Sequence, residues 1–184
     1  GARFVTADGA RWWDLGSMVW NAGLGHGHPR MRKALAEAAA RGLLVTPSAA
    51  YPAKLRAAEL LTEVTPAGLE KTFFCLSGAE ANENAVKIAR LVTGRKKIVA
   101  RNRSYHGATL AMLAVSGDPR RKGFPLGYPD GVCWEDPYVA LPHPRDLEQL
   151  LQKQPPDSVA AVLLEGIVGA NGVYVPPPGY FKYV

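Results

Sequence analysis

Beyond Lys71 the apolar positions follow two alternating rhythms. Compact apolar runs at Lys71–Leu76, Lys97–Ala100 and Ser158–Leu164 have the length and β-branched content of buried strands. Between them, Glu80–Val92, Gly107–Val115 and Arg145–Gln152 predict helices. In the first of these, Ala81, Ala85, Ile88, Ala89 and Val92 fall on one face, and Gly94 supplies a stop. The run at Ser158–Leu164 has the continuous apolar character of a central parallel strand, and Cys75 in the run at Lys71–Leu76 reads as a small core residue. Before Lys71 the pattern differs. Arg3–Leu15 alternates around Asp8-Gly9, a hairpin signal. A glycine-rich loop, Gly23-Leu24-Gly25-His26-Gly27-His28-Pro29, leads into a helix at Arg30–Ala40, and a second helix spans Ala53–Val64. Residues 117–145, rich in Gly, Pro and aromatics, read as a long ordered loop and a candidate subunit contact. Strands alternating with helices predict an α/β domain with a parallel sheet.

Composition changes this picture little. With 184 residues, 47% hydrophobic and 21% charged, the chain has enough material for one good core and part of another. The net charge of +6 is spread over Arg30–Lys33, Arg95–Arg103 and Arg120–Lys122 without interleaved aromatics, so it predicts solvated surface and attraction for an anionic ligand rather than nucleic-acid binding. The two cysteines, Cys75 and Cys133, form no C-x-x-C pair, and no metal-ligand spacing is present. No signal-peptide pattern or membrane-length apolar run occurs, so the expectation is a cytoplasmic protein with no membrane partner.

Three strand ends hold candidate chemistry. Ser77-Gly78-Ala79-Glu80 is a tight turn opening a helix. Its Ser-x-x-Glu spacing makes a capping box, and free N–H groups with the helix dipole make such a turn an anion cradle. The spacing alone marks only a helix start. Ser104-Tyr105-His106-Gly107 follows the strand at Lys97–Ala100; Tyr105 is either a stacking platform or a rim aromatic, and His106 either a functional or a structural histidine. Glu165 ends the third run, where open α/β sheets place their ligands, or else caps a helix. A planar, phosphorylated, cationic cofactor would use all three, and pyridoxal phosphate has those properties. Neither G-x-G-x-x-G after a strand nor G-x-x-x-x-G-K-[ST] is present, which disfavours a nucleotide domain.

These residues stand in a known order: Asp14 with Gly25-His26-Gly27-His28-Pro29, then Ser77-Gly78-Ala79-Glu80-Ala81, then Tyr105-His106-Gly107, then Glu165 and Pro176-Pro177-Pro178-Gly179-Tyr180. From about Phe4 onward the chain resembles the N-terminal portion of the class III pyridoxal-phosphate-dependent aminotransferases. The resemblance implies part of a fold-type-I transferase: a three-layer, parallel-sheet large domain over 47–184, preceded by a small-domain segment over 1–46. It implies that Gly78 and Ala79 hold the cofactor phosphate through backbone N–H groups, with Ser77 turning and capping the loop. Tyr105 would stack on the pyridine ring with His106 beside it. Glu165 would orient the group that binds the ring nitrogen. Trp20 would line the substrate pocket, unless it simply packs in the N-terminal segment. The partners implied are a small amine, a keto acid and a second copy of the chain in a homodimer.

Where the family pattern runs E-P-I-Q-G-E, this chain has Glu165-Gly166-Ile167-Val168-Gly169-Ala170. The second Glu of that pattern marks members acting on ornithine, acetylornithine or γ-aminobutyrate, so Ala170 points instead to ω-amino-acid:pyruvate and related ω-transaminases. The aspartate and the cofactor-bearing lysine of the family lie beyond the segment matched by Gly179-Tyr180. The expectation is therefore a piece of a longer enzyme, inactive by itself, with no catalytic residue assigned. Aminomutase, racemase or decarboxylase chemistry on the same scaffold, or a non-catalytic interaction module, are the alternatives.

Overall fold

The computed structural model describes residues 1–42, 45–46, 48–123, 132–135 and 145–184. The chain divides into two compact units, Gly1–Gly68 and Leu69–Val184.

In the first unit, β1 (Arg3–Val5) and β2 (Arg11–Trp13) form the expected hairpin, antiparallel with Phe4 opposite Trp12. Asp8 accepts from Thr6 and from the Ala10 N–H, and Gly9 takes φ +84° to complete the turn. α2 (Pro29–Ala40) and α3 (Pro52–Thr62) both begin on a proline, whose missing N–H costs nothing in a first turn. A feature the sequence hid precedes them. α1 (Ser17–Trp20) is a single left-handed turn in which Ser17, Met18, Val19 and Trp20 all have positive φ. Such a turn costs L-residues about 1–2 kcal/mol each. Asp14 steadies it: its carboxylate accepts from the Met18 N–H at 2.9 Å and is 2.6 Å from His26 Nε2.

Among the described residues, the second unit is built on three parallel strands in the order β4-β3-β5. β3 (Lys97–Arg101) is central, flanked by β4 (Val132–Glu135) and β5 (Val159–Leu163). Ile98, Val99 and Ala100 are fully buried there. α4 (Gly78–Thr93) and α5 (Leu110–Val115) pack on the sheet through Val86, Met112 and Val115 against Ile98, with Ala79, Ala160, Ala161 and Leu163 around them. Each large apolar side chain fully buried here stabilises by about 1.5–3 kcal/mol. α6 (Arg145–Gln152) leads back to β5. Past β5, Val168 and Tyr174 pair in an antiparallel bridge, and the chain enters a short α7 (Tyr180–Tyr183). Val168 and Tyr180 form a second cluster with Leu164 and Tyr174.

Five expectations need correction. The run at Lys71–Leu76 is not a strand: no described strand pairs with it, and Phe73 is 70% and Leu76 95% exposed. An apolar run becomes a strand only when a neighbour takes its backbone hydrogen bonds. Cys75 is accordingly half-buried rather than in the core. The buried side of α4 is not the Ala81/Ala85/Ile88 stripe: Val86 and Ala79 face the sheet, while Ile88 and Val92 are exposed. Nor is 117–145 a loop throughout, since β4 lies within it; residues 124–131 and 136–144 fall outside the described set. Among the described strands, β4 also makes β3, rather than the 158–164 run, the central one.

Candidate active site

The site is built at the N-terminus of α4. Ser77 is extended, φ −150° and ψ 162°, and its Oγ accepts from the Glu80 N–H at 3.1 Å. Glu80 reaches back to the Leu76 N–H at 2.8 Å. This is the predicted capping box, displaced by one residue at its return bond. The Ala81 N–H bonds the Ser77 carbonyl, beginning the helical ladder. The N–H groups of Gly78 and Ala79 find no acceptor among the described residues. Two donors at the positive end of a 16-residue helix therefore face outward, which is the geometry that binds an anion.

The loop after β3 is brought against this turn. Gly107 passes Ala79 with no room for a side chain, at φ +142°. Asn82, one turn into α4, donates from Nδ2 to the His106 carbonyl at 2.8 Å. Ser116, at the end of α5, accepts from the His106 N–H at 2.9 Å while donating to the Met112 carbonyl. His106 is thus fixed at both ends of its peptide unit. Its ring is buried, and Nε2 has no hydrogen-bond partner among the described residues. Burial, with the nearby Arg101 charge, lowers its pKa to about 4, so the imidazole is neutral near pH 7.

Glu165, two residues past β5, closes the third side. Oε1 accepts from the Tyr105 N–H at 2.8 Å and Oε2 from the Gly169 N–H at 3.3 Å. Its own carbonyl accepts from the Arg101 guanidinium. The carboxylate therefore ties the Tyr105 loop to the strand end. Tyr105 itself is half-buried.

Ser77, Gly78, Ala79, Tyr105, His106 and Glu165 are in this way gathered at one edge of the sheet. Trp20 belongs to the first unit, where its side chain is 64% exposed on the left-handed turn. Sequence reasoning gave no site role to four further residues: Asn82, Ser116, Asp118 and Arg120. Asp118 is buried, and its carboxylate accepts from Arg120 Nε at 2.7 Å and Nη2 at 2.6 Å, and from Asn171 Nδ2 at 2.9 Å. Arg120, then Asn171, hold its carboxyl well below the usual carboxylate range. The Arg120 guanidinium lies 4.4 Å over the Tyr105 ring. The Gly117-Asp118 step directly before a proline was the one available signal for a structured turn there. Among the described residues no group of three or more His, Cys, Asp and Glu is placed to hold a metal ion, and no helix is long and apolar enough to cross a membrane.

Known proteins share this architecture. The acetylornithine aminotransferase of Streptomyces coelicolor is 38% identical over 99% of this chain and 43% of its own length. The taurine–pyruvate aminotransferase of Rhodobacter capsulatus is 34% identical over 98% of the chain and 45% of its own. Among solved structures, the taurine:2-oxoglutarate aminotransferase of Bifidobacterium kashiwanohense, in complex with PLP and glutamate, superposes over the whole chain and 45% of its own, with a TM-score of 0.90 at 38% identity. A transaminase from the marine bacterium Virgibacillus gives 0.91 at 28%, over the whole chain and 44% of its own. The chain thus spans under half the length of these relatives, and its described strands and helices are part of a fold-type-I, pyridoxal-phosphate-dependent transferase. The family profile "Aminotransferase class-III" matches residues 1–184, and the chain belongs to the class III aminotransferases.

Proposed function

We propose that the full-length protein carrying this chain is a pyridoxal-phosphate-dependent aminotransferase that moves an amino group between an ω-amino acid or amine and a keto acid such as pyruvate. The observation that carries this reading is the pair of outward N–H groups at Gly78 and Ala79, set against the Tyr105-His106-Gly107 loop. Those donors suit a phosphate, and the half-exposed Tyr105 ring suits a flat heterocycle. Ser77 holds the turn in shape. Glu165 fixes the backbone beneath Tyr105 and would orient the group that binds the ring nitrogen. His106, neutral and buried, adds a polar but uncharged wall. When bound, pyridoxal phosphate supplies an electron-withdrawing ring that eases loss of the substrate's proton. The residues of this chain bind and orient that ring. No residue of the chain is assigned to the proton transfer.

Ala170, in the place of the second family Glu, supports the ω-amino-acid class over the acetylornithine class, while the relatives include both. Trp20 would line the substrate pocket, residues 1–46 would form part of a small domain and 47–184 part of the large one, and the active species would be a cytoplasmic homodimer. The test is to titrate the full-length protein with pyridoxal phosphate and then supply taurine, β-alanine or N-acetylornithine with pyruvate or 2-oxoglutarate. A visible cofactor band and amine-dependent formation of alanine from pyruvate or glutamate from 2-oxoglutarate are expected with the ω-amino donors. Turnover of an amino acid with no keto acid present would replace this reading by a mutase, racemase or decarboxylase. Absence of a cofactor band would end it.

A further inference from the structure

The structure holds an arrangement around Tyr105 that the capping turn and Glu165 do not account for. The Arg120 guanidinium covers one face of the Tyr105 ring at 4.4 Å from its centroid. It is not a loose surface charge there. Asp118 grips it through Nε and Nη2, and accepts from the Arg120 N–H at 2.8 Å as well. The Asp118 side chain is 1% exposed while that of Arg120 is 59% exposed. Asn171 binds the same carboxylate and also the Arg103 carbonyl, at 2.7 Å. The preceding residue is equally fixed. Gly117 bridges Asn102 in parallel, its N–H reaches Ser104 Oγ at 3.0 Å, and a Cβ there would sit 2.3 Å from the Arg101 carbonyl oxygen.

We propose that Asp118 and Arg120 are positioning residues that clamp the Tyr105 ring from behind, so that its opposite face is preset for a planar heterocycle. The inference rests on the reading that Tyr105 stacks on the cofactor. A ring that turns freely loses torsional freedom when a ligand stacks on it; one already held by a cation over its face does not. A bidentate Asp–Arg pair fixes the plane of the guanidinium, which a lysine cannot do. Arg120 would therefore tighten cofactor binding without touching the cofactor, and Asp118 would act one step further back.

The test uses the full-length protein in its apo form, with Arg120→Met, Arg120→Lys, Tyr105→Leu and the double variant Tyr105→Leu/Arg120→Met. Pyridoxal-phosphate affinity is read by titration, and the ring directly by 19F NMR of 3-fluorotyrosine placed at position 105. Arg120→Met is expected to weaken the cofactor by roughly two- to fivefold, in line with one exposed cation–π contact, and to shift and alter the width of the fluorine resonance. Arg120→Lys should restore little of either. In the Tyr105→Leu background the Arg120 effect should vanish. Three results would overturn the clamp: an unchanged resonance in Arg120→Met, an unchanged affinity in Arg120→Met while Tyr105→Leu weakens binding, or additive losses in the double variant, which would put Arg120 on the cofactor itself. If Tyr105→Leu binds as well as the parent, the stacking reading itself falls, and the clamp with it.

Discussion

A Cβ built on Gly107 would lie 2.6 Å from the Cβ of Ala79 and 2.9 Å from its Cα. The loop that carries Tyr105 and the turn that starts α4 come closest at this point, and only a residue without a side chain permits it. Gly107 also holds φ +142°, a conformation L-residues rarely adopt. Gly107→Ala should therefore destabilise by about 2–4 kcal/mol through overpacking and backbone strain together. It should also weaken phosphate-bearing ligands, because the Tyr105 loop is pushed off the α4 turn. Urea denaturation and pyridoxal-phosphate titration of the full-length protein measure the two effects; a Gly107→Ala protein as stable as the parent would mean the contact can relax at no cost.

Gly78→Pro separates helix stability from anion binding. Ser77 is already extended, as the residue before proline must be, and nothing lies within 4 Å of a Cβ at Gly78. Proline at a first helical position is tolerated. Stability should stay within about 1 kcal/mol of the parent or rise. The lost donor should cost a bound phosphate about 1.5–3 kcal/mol, the worth of a hydrogen bond to a charged group. Equal affinity for pyridoxal phosphate in parent and variant would show that this N–H does not meet the phosphate.

Ser77→Ala is expected to cost about 1 kcal/mol of stability, whereas Ser77→Gly costs a few tenths. The reason is the single cap bond from the Glu80 N–H to Ser77 Oγ. Thermal or denaturant unfolding of both variants checks it. If the two substitutions cost the same, the cap bond is not what the hydroxyl contributes.

His106 predicts an acid limb in stability. Its pKa in the fold is about 4, against 6.5 for an ordinary histidine. Between those values the unfolded chain binds a proton that the folded one refuses, so stability falls as pH drops from about 6.5 to about 4. The full difference is roughly 3 kcal/mol. His106→Gln should flatten that part of the profile. Asp118 acts in a lower window: its carboxyl is held down by Arg120, so its contribution is present above the ordinary carboxylate pKa and is lost only as pH falls below it. An unchanged profile between pH 4 and 6.5 in His106→Gln would contradict the assignment.

Much of the second unit could be read from the chain because its signals are local. Ser77 and Glu80 announce the start of α4, and Gly94 ends it in the left-handed conformation, φ 68°. The β3 run reads as a buried strand and is one. What could not be read depended on partners far along the chain. Lys71–Leu76 and Lys97–Ala100 look alike as sequences, yet only the second has described neighbours to pair with. α4 carries small apolar residues on several sides, and the sheet rather than the helix decided which side was buried. β4 is a four-residue strand set among Gly, Pro and aromatics, too short to stand out. Asp118 and Arg120 look like ordinary surface charges until the fold brings Tyr105 beneath them. The left-handed turn at Ser17–Trp20 contains no glycine, so no residue type betrayed it. Of the three expected strand ends, the Ser77 turn lacks the strand before it, and the Tyr105 loop does follow one; the Glu165 bond to the Tyr105 N–H, 60 positions away, had no signal in the sequence.

The parallel pairing of β3 with β5 has a kinetic consequence. Their ends are joined by the contact of Arg101 with Glu165, 64 positions apart, and parallel neighbours cannot be connected by a tight turn. A long loop must therefore close before the sheet returns any stabilisation, which slows folding. α4, with its own cap and stop, can form early, while β3 waits for β5. During that interval Ile98, Val99 and Ala100, wholly buried once the sheet is made, are open to the wrong partners. Aggregation on refolding should accordingly rise with protein concentration and be relieved by conditions that shield apolar strands while distant segments find one another.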